Sequence, residues 1–262
     1  MSAQGLQAKV PGYRLHSLSA VTHRSEQSAM DTTHNFCFPV RVLANSRADR
    51  HATKYIESTS GHPEIYAHTI AGPYKSVDDF VSSFVEGESR IDPGMMTYAI
   101  IDKTRPPSDE DEEGEMAGRI SFANTSTAHL CTEIGYIVIF PAYQRTHVTT
   151  NAVGLMLHEA FKSPEDGGFG IRKVIWQAHA HPGNSGSVRL AQRMGFREEG
   201  VRRWHRLIPR GRLQGKIGNG EPLPPGSDPD DIWRHSVLLA LCWDSWLEEA
   251  AGQVQQAMDR TR

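Results

Sequence analysis

Cys131-Thr-Glu-Ile-Gly-Tyr-Ile-Val-Ile-Phe140, running directly into Pro141-Ala-Tyr-Gln-Arg-Thr-His-Val-Thr-Thr-Asn-Ala152, decides the fold class of this 262-residue chain. The first ten residues are β-branched and aromatic, and after Glu133 almost continuously apolar, as a strand covered on both faces must be. Beyond Pro141, Ala152, Val153, Leu155, Met156, Leu157 and Ala160 occupy most of the circumference of a helix predicted over 148–161. Such a helix has to lie against a sheet. Gly167-Gly168 and Gly170 mark its exit, and residues 173–180 read as another buried strand. Asn184 or Ser185 then caps a helix with Leu190, Ala191 and Met194 on one face, and Gly195 stands where it stops. Strand, helix, strand, helix in that order is a parallel crossover unit, so the class is α/β.

Upstream, residues 97–102 and 117–123 read as two antiparallel strands joined through the acidic run from Asp109 to Glu115. Ser76-Val-Asp-Asp79 has the form of a capping box, with Phe80, Val81, Phe84 and Val85 following at helical spacing. Residues 36–42 are an apolar cluster, 51–56 are expected as a short strand, 63–70 as helical, and Gly72-Pro73 as a break. Downstream, two strands are expected over 201–208 and 232–241, joined by a Gly- and Pro-rich excursion, with a closing helix from Trp243. Residues 1–34 carry no period and are expected to be a flexible arm. Residues 35–262 then form one domain with loop insertions at 103–116 and 211–230, close to the size at which single cores stop growing.

Hydrophobic residues make up 38% of the chain and aromatics 8%, values of a globular rather than a disordered protein. No apolar run approaches a membrane span and the N-terminus lacks the order of a secretory signal. A cytoplasmic protein with no membrane partner is expected, as a monomer or homodimer. The net charge of -3 gives no general attraction to nucleic acid, which is not expected as a partner. The basic stretch 202–216, interleaved with Trp204 and His205, suits a short single-stranded nucleic acid, a phosphorylated cofactor or an acidic substrate. Cys37, Cys131 and Cys242 lie far apart without CxxC spacing, so neither a disulfide framework nor a zinc site follows. His179 and His181 share a strand face, but a third ligand is not visible and no metal is expected.

The turn into the 148–161 helix carries the chemistry. A helix N-terminus leaves N–H groups unpaired and bears partial positive charge, so the backbone of 144–150 can seat a pyrophosphate, although any strand-to-helix turn offers part of this. Glu133 is the one acid on an otherwise apolar strand. It is either a general base whose pKa is raised by burial or a strand-end carboxylate paired with an arginine. His205, beside Trp204, is either within reach of a substrate or structural.

Four ordered blocks carry a resemblance. Glu133-Ile-Gly-Tyr136, Pro141-x-Tyr143-Gln144-Arg145-Thr146-x-Val148-Thr149-Thr150, Asn184-x-x-Ser187, and Arg189-Leu190-Ala191-x-Arg193-Met194-Gly195-Phe196 with Glu199-Gly200 together resemble the GNAT acetyltransferases. The similarity spans residues 36–246, and its branch resembles ribosomal-protein N-terminal acetyltransferases, in particular fungal members. The resemblance implies a mixed, splayed sheet flanked by helices, acetyl-CoA as co-substrate, and transfer of an acetyl group to a small-molecule or peptide amine. It places the pantetheine arm beside Ile137, Val138 and Ile139 and the pyrophosphate on Gln144, Arg145, Thr146, His147, Val148, Thr149 and Thr150. Asn184, Ser187 and Arg193 complete the cofactor set. Glu133 is the implied base, Ser187 a candidate acid, and Trp176, Trp204 and His205 the candidates for acceptor contact. Two departures stand out: His147 and Thr149 occupy positions where the family has glycine and a small residue, and Ala191 stands where it often has a tyrosine acid. They leave open a non-catalytic CoA-binding sensor, or an enzyme with a different acyl donor.

Overall fold

The computed structural model describes residues 40–44, 48–109 and 111–260, so the expected arm and Phe36 to Pro39 lie outside the described residues. The buried strand read from the sequence is β4 (Cys131–Ile139), fourth in a seven-stranded sheet. Its companions are β1 (Val40–Ala44), β2 (Met96–Asp102), β3 (Glu115–Ser126), β5 (Lys173–His179), β6 (Arg197–Leu207) and β7 (Trp233–Cys242), in spatial order β1-β2-β3-β4-β5-β7-β6. Every neighbouring pair is antiparallel except β4 with β5. That parallel pair needs a crossover, and α3 (Val148–Phe161) supplies it.

The helix that is apolar all round has its explanation in two layers. It packs on β1, β2 and β4 with one side and on the C-terminal helix α6 (Ala251–Asp259) with the other. Val148, Ala152, Val153, Met156, Leu157 and Ala160 are all fully buried. The C-terminal segment starts as α5 (Trp243–Ser245) and widens over Trp246–Ala250 before α6. The second crossover helix, α4 (Ser185–Arg193), also touches α6.

The opposite face of the sheet carries α1 (Ala48–Thr59) and α2 (Val77–Phe80), the latter continuing in wider turns over Val81–Ser89. The expected strand at 51–56 is therefore part of a helix. Its buried residues Ala52, Tyr55 and Thr59 recur at three- and four-residue steps, which β-branched content at Thr53 and Ile56 had masked. Ser76 caps α2 as expected, the Asp79 N–H donating to its Oγ at 3.1 Å, while the Asp79 carboxylate accepts from the Lys75 N–H one residue before the cap. Between these helices, Arg119 from β3 lies 2% exposed, its guanidinium 3.9 Å from the centre of Phe84 and its Nε donating to the Tyr55 hydroxyl.

The expected helix over 63–70 is only a 3₁₀ turn, Pro63–Tyr66, followed by irregular chain to a cis Gly72-Pro73 bond. What holds this chain is the excursion between β6 and β7. Lys216 Nζ donates to the carbonyls of Tyr66, Thr69 and Ala71 at 2.6–3.0 Å. Arg212 clasps Asp79 through two hydrogen bonds, donates to the Pro73 carbonyl, and holds the Asp79 carboxyl well below the usual range.

Gly118 of β3 sits where β4 comes closest. A Cβ there would lie 2.2 Å from the Val138 carbonyl oxygen, a backbone atom that cannot swing aside. Gly118→Ala is expected to lower stability by about 1–3 kcal/mol, seen as a depressed melting temperature, because β3 and β4 must separate. An unchanged melting temperature would show that the two strands part at no cost.

Candidate active site

The parallel pairing of β4 with β5 covers only Cys131, Thr132 and Glu133 against Lys173, Val174 and Ile175. From Ile134 onward the two strands diverge, and the edge of β4 facing β5 has no strand partner. The register with β3 also slips by one residue between Gly135 and Val138, where Tyr136 takes φ 53°. A bulge of this kind leaves a backbone group out of the ladder and re-aims the side chains around it. The result is a cleft of about 490 Å³ through the sheet, bounded by Ile134 to Ile139 on one side and Trp176 to His179 on the other.

The turn after β4 forms the cleft's end. Arg145 is held at φ 63° and α3 begins at Val148 with His147 in its N-cap position. Among the described residues the N–H groups of His147, Thr149 and Thr150 have no protein acceptor. A left-handed residue ahead of a helix start gathers such donors into an anion-binding concavity. His147, in the place of a family glycine, turns its ring behind the turn, with Nε2 3.3 Å from Asp102 Oδ1. Its backbone is ordinary right-handed helix (φ -65°), so no glycine is required there.

Of the expected cofactor contacts, Ile137, Val138, Ile139, Gln144, Arg145, Thr149, Asn184 and Ser187 line the cleft. Thr146, His147, Val148, Thr150 and Arg193 do not. Val148 is core, Thr146 Oγ donates to the Tyr143 carbonyl, and Arg193 Nη2 donates to Thr150 Oγ, tying α4 to α3. Trp176 lines the cleft on the α4 side, where its indole N–H donates to Ser187 Oγ at 3.1 Å. That bond uses a lone pair of Ser187 and leaves its hydroxyl proton free to point elsewhere.

Trp204 and His205 lie outside the cleft lining, correcting their expected placement. The β6–β7 register slips by two residues between Arg202 and Arg206, with Trp204 at φ 50°. Trp204 packs on Trp233 and His235, and His205 bonds Ser236 Oγ at 2.9 Å. The residue this bulge brings to the cleft is Arg206.

Glu133 stands at the last position of β4 that pairs with β5, 8% exposed. Its Oε2 accepts from Asn124 Nδ2 at 2.8 Å and Gln177 Nε2 at 2.6 Å, and it forms no ion pair among the described residues. Burial raises its pKa, while the two amides and the more distant Arg206 pull it back. Gly135 leaves it room, since a Cβ there would come within 3.1 Å of Oε1. Asn124, Gln177, Arg206, Arg234 and His68 were not picked out from the sequence. Only the polar period of two along β5 (Gln177, His179) hinted at a polar face.

His68 and His179 share a hydrogen bond between their Nδ1 atoms at 3.1 Å, so one ring accepts there and must be neutral. Burial first, then Arg234, drives the His179 pKa down to about 3. Among the described residues no group of three His, Cys, Asp or Glu is arranged to hold a metal ion. Nor, among them, is any helix long and apolar enough to cross a membrane.

Comparison with known proteins accords with this geometry. The family model described as an acetyltransferase (GNAT) domain matches residues 42–197. A probable GNAT acetyltransferase from Chromobacterium violaceum superposes with TM-score 0.60 at 22% identity, over 79% of this chain and 85% of the other. A GCN5-related N-acetyltransferase from Brucella melitensis gives 0.62 at 19% identity, over 86% and 93%. Spermidine N-acetyltransferase from Vibrio cholerae, solved with CoA and spermine, gives 0.54 at 15% identity, over 80% and 99%. No curated protein sequence matches. With a family model covering more than half its length and the splayed sheet that model implies, the chain belongs to the GNAT family and is an N-acetyltransferase.

Proposed function

We propose that the donor is acetyl-CoA, that the acceptor is a small-molecule or peptide amine, and that the two react directly while both are bound. The observation that carries this reading is the buried, amide-bonded Glu133 at the mouth of the β4–β5 opening. The donor supplies an activated thioester. The turn at 145–150 offers unpaired N–H groups and a helix N-terminus to its pyrophosphate, and the unpaired edge of β4 offers backbone groups to its amide arm. Asn184 and Ser187 line the same passage from α4.

An amine reacts only as the free base, so a proton acceptor has to lie beside it. Glu133 suits that task, because burial brings its pKa toward neutrality while Asn124 and Gln177 keep its ionised form available. Ser187, whose oxygen is engaged by Trp176, is the hydroxyl we assign to protonating the leaving thiolate. Ala191, in the place of the family tyrosine, is fully buried and has no proton to give. The sequence blocks support placement in the branch resembling ribosomal-protein N-terminal acetyltransferases.

Acetyl-CoA at one hundred times its dissociation constant should stabilise the protein by about 2.7 kcal/mol, read as an upward melting shift. No shift at millimolar concentration would remove the donor assignment. Glu133→Gln should lower turnover near neutral pH by about 10²-fold or more with little change in donor affinity. A fully active variant would dismiss Glu133 as the base. In the wild type, kcat/KM should rise with pH through the raised Glu133 pKa. Gln177→Leu removes a bond to the ionised form, so the acidic limb should move to higher pH. A shift downward, or none, would contradict the role given to Gln177.

A further inference from the structure

Two arginines oppose each other across the β6–β7 ladder: Arg206 and Arg234 are direct register partners, and both line the cleft. Like charges directly opposite on one sheet face repel, so the pairing is unfavourable unless something negative lies between or above them. Glu133, the one acid in the cleft lining, attracts both through space, but it is hydrogen-bonded to two amides rather than to either arginine, so a single carboxylate faces two guanidinium groups. Among the described residues Arg206 has no hydrogen-bond or ion-pair partner. Arg234, 7% exposed, donates Nη1 to the His68 carbonyl at 2.8 Å and Nη2 to Ser236 Oγ at 3.4 Å, while its Nε is buried without a partner.

Both guanidinium groups lie on the acceptor side. Gln177, which bonds Glu133, and His179 alternate with Trp176, which faces α4. His179 pairs with Ser236 on β7, and Arg234 lies two residues further along, so the pleat keeps it on the Glu133 side. The pyrophosphate turn and Ser187 belong to the helices of the other face. The remaining ionisable rings here, His68, His179, Tyr136 and, just outside the lining, His205, add no negative charge; burial and the Glu88 carboxylate, to which its hydroxyl donates, push the Tyr136 pKa up.

We propose that Arg206, backed by Arg234, recognises an oxyanion on the acceptor, so that the substrate class is a small amine carrying a carboxylate or phosphate rather than a polycation. This rests on the acetyltransferase reading above and narrows its acceptor. A guanidinium offers paired N–H donors matched to such a group, and a charge-assisted pair in a partly buried cleft discriminates strongly against a neutral analogue.

The test uses the full chain saturated with acetyl-CoA and acceptors in matched pairs: amino acids against their carboxamides, O-phosphoethanolamine against ethanolamine, with spermidine as the polycation. In parallel, the N-acetylated acid and N-acetylated amide of each amino acid are titrated calorimetrically into the CoA complex, which reads recognition without turnover. The charged member of at least one pair should be favoured by about tenfold or more in kcat/KM or in Kd, and the phosphate and carboxylate arms tell which oxyanion is preferred. Arg206→Gln should bring that ratio close to one, and Arg206→Lys should restore part of it, with circular dichroism confirming that both variants fold. Equal treatment of every pair by the wild type, preference for spermidine, or a ratio that survives in folded Arg206→Gln would overturn the proposal. Failure of the donor assignment is separately visible, as loss of CoA binding itself.

Discussion

Everything distinctive about this molecule follows from three residues of parallel pairing. β4 and β5 are joined at Cys131, Thr132 and Glu133 and then separate. A sheet interior normally satisfies every backbone group, and leaving an edge open inside a fold is costly unless a ligand takes up the donors and acceptors. The fold maintains the opening from both ends. The bulge at Tyr136 and the close approach at Gly118 bend β4 toward β3, while seven consecutive register pairs hold β5 to β7. α3 closes one end of the gap and α4 one side. Neither can relax toward the other, because both are packed on α6.

The same opening makes the two faces chemically different. On the helix side the lining consists of Trp176, Ser187, Leu190 and the turn at 145–149, a mixture of apolar surface and donors. On the other side lie Glu133, Gln177, His179, Arg206 and Arg234, which is a dense set of titratable groups for a buried space. Lowering of the His179 pKa by burial and Arg234 keeps that ring neutral, so the charge there is set by two arginines and one carboxylate. The roof over this side, Ile65 to Ala71, has almost no regular structure of its own. It is fixed by Lys216 and Arg212 from the 211–230 excursion, whose carbonyl and carboxylate partners are spread from Tyr66 to Asp79. The insertion between β6 and β7 thus positions one wall of the cleft.

Much of the framework could be read without coordinates, because it depends on local rules. The apolar run of β4, the all-round apolar α3, the Ser76 cap and the Gly195 stop are each set by neighbours a few residues away. The misreadings share another cause. Residues 51–56 contain Tyr55 and Ile56, which suit strands, whereas their helical state is supported by Tyr55 stacking against Phe80, 4.3 Å away between ring centres. Trp204 and His205 lie on a strand next to the cleft, which makes them candidates for acceptor contact from sequence alone. A two-residue slip in pairing, which no period along β6 announces, turns them aside and exposes Arg206 instead. Asn124 and Gln177 reach Glu133 only through register, so their part in the site is a property of strand alignment and not of any motif.

The turn at 144–150 shows how a departure from a family pattern can leave the physics intact. Glycine is used beside a phosphate when a side chain would block the backbone or when φ must be positive. Here the two demands fall on different residues. Positive φ is taken by Arg145, which is one of the cleft-lining residues. Clearance is achieved at His147 by rotating the ring to Asp102 behind the turn, which leaves its N–H unobstructed. Asp102 is 2% exposed and also accepts from the Thr104 N–H and hydroxyl, so it is a fixed anchor. The missing glycine is therefore compensated by a buried carboxylate at the end of β2, and the concavity that an anion would occupy is preserved by a side-chain contact instead of by the absence of a side chain.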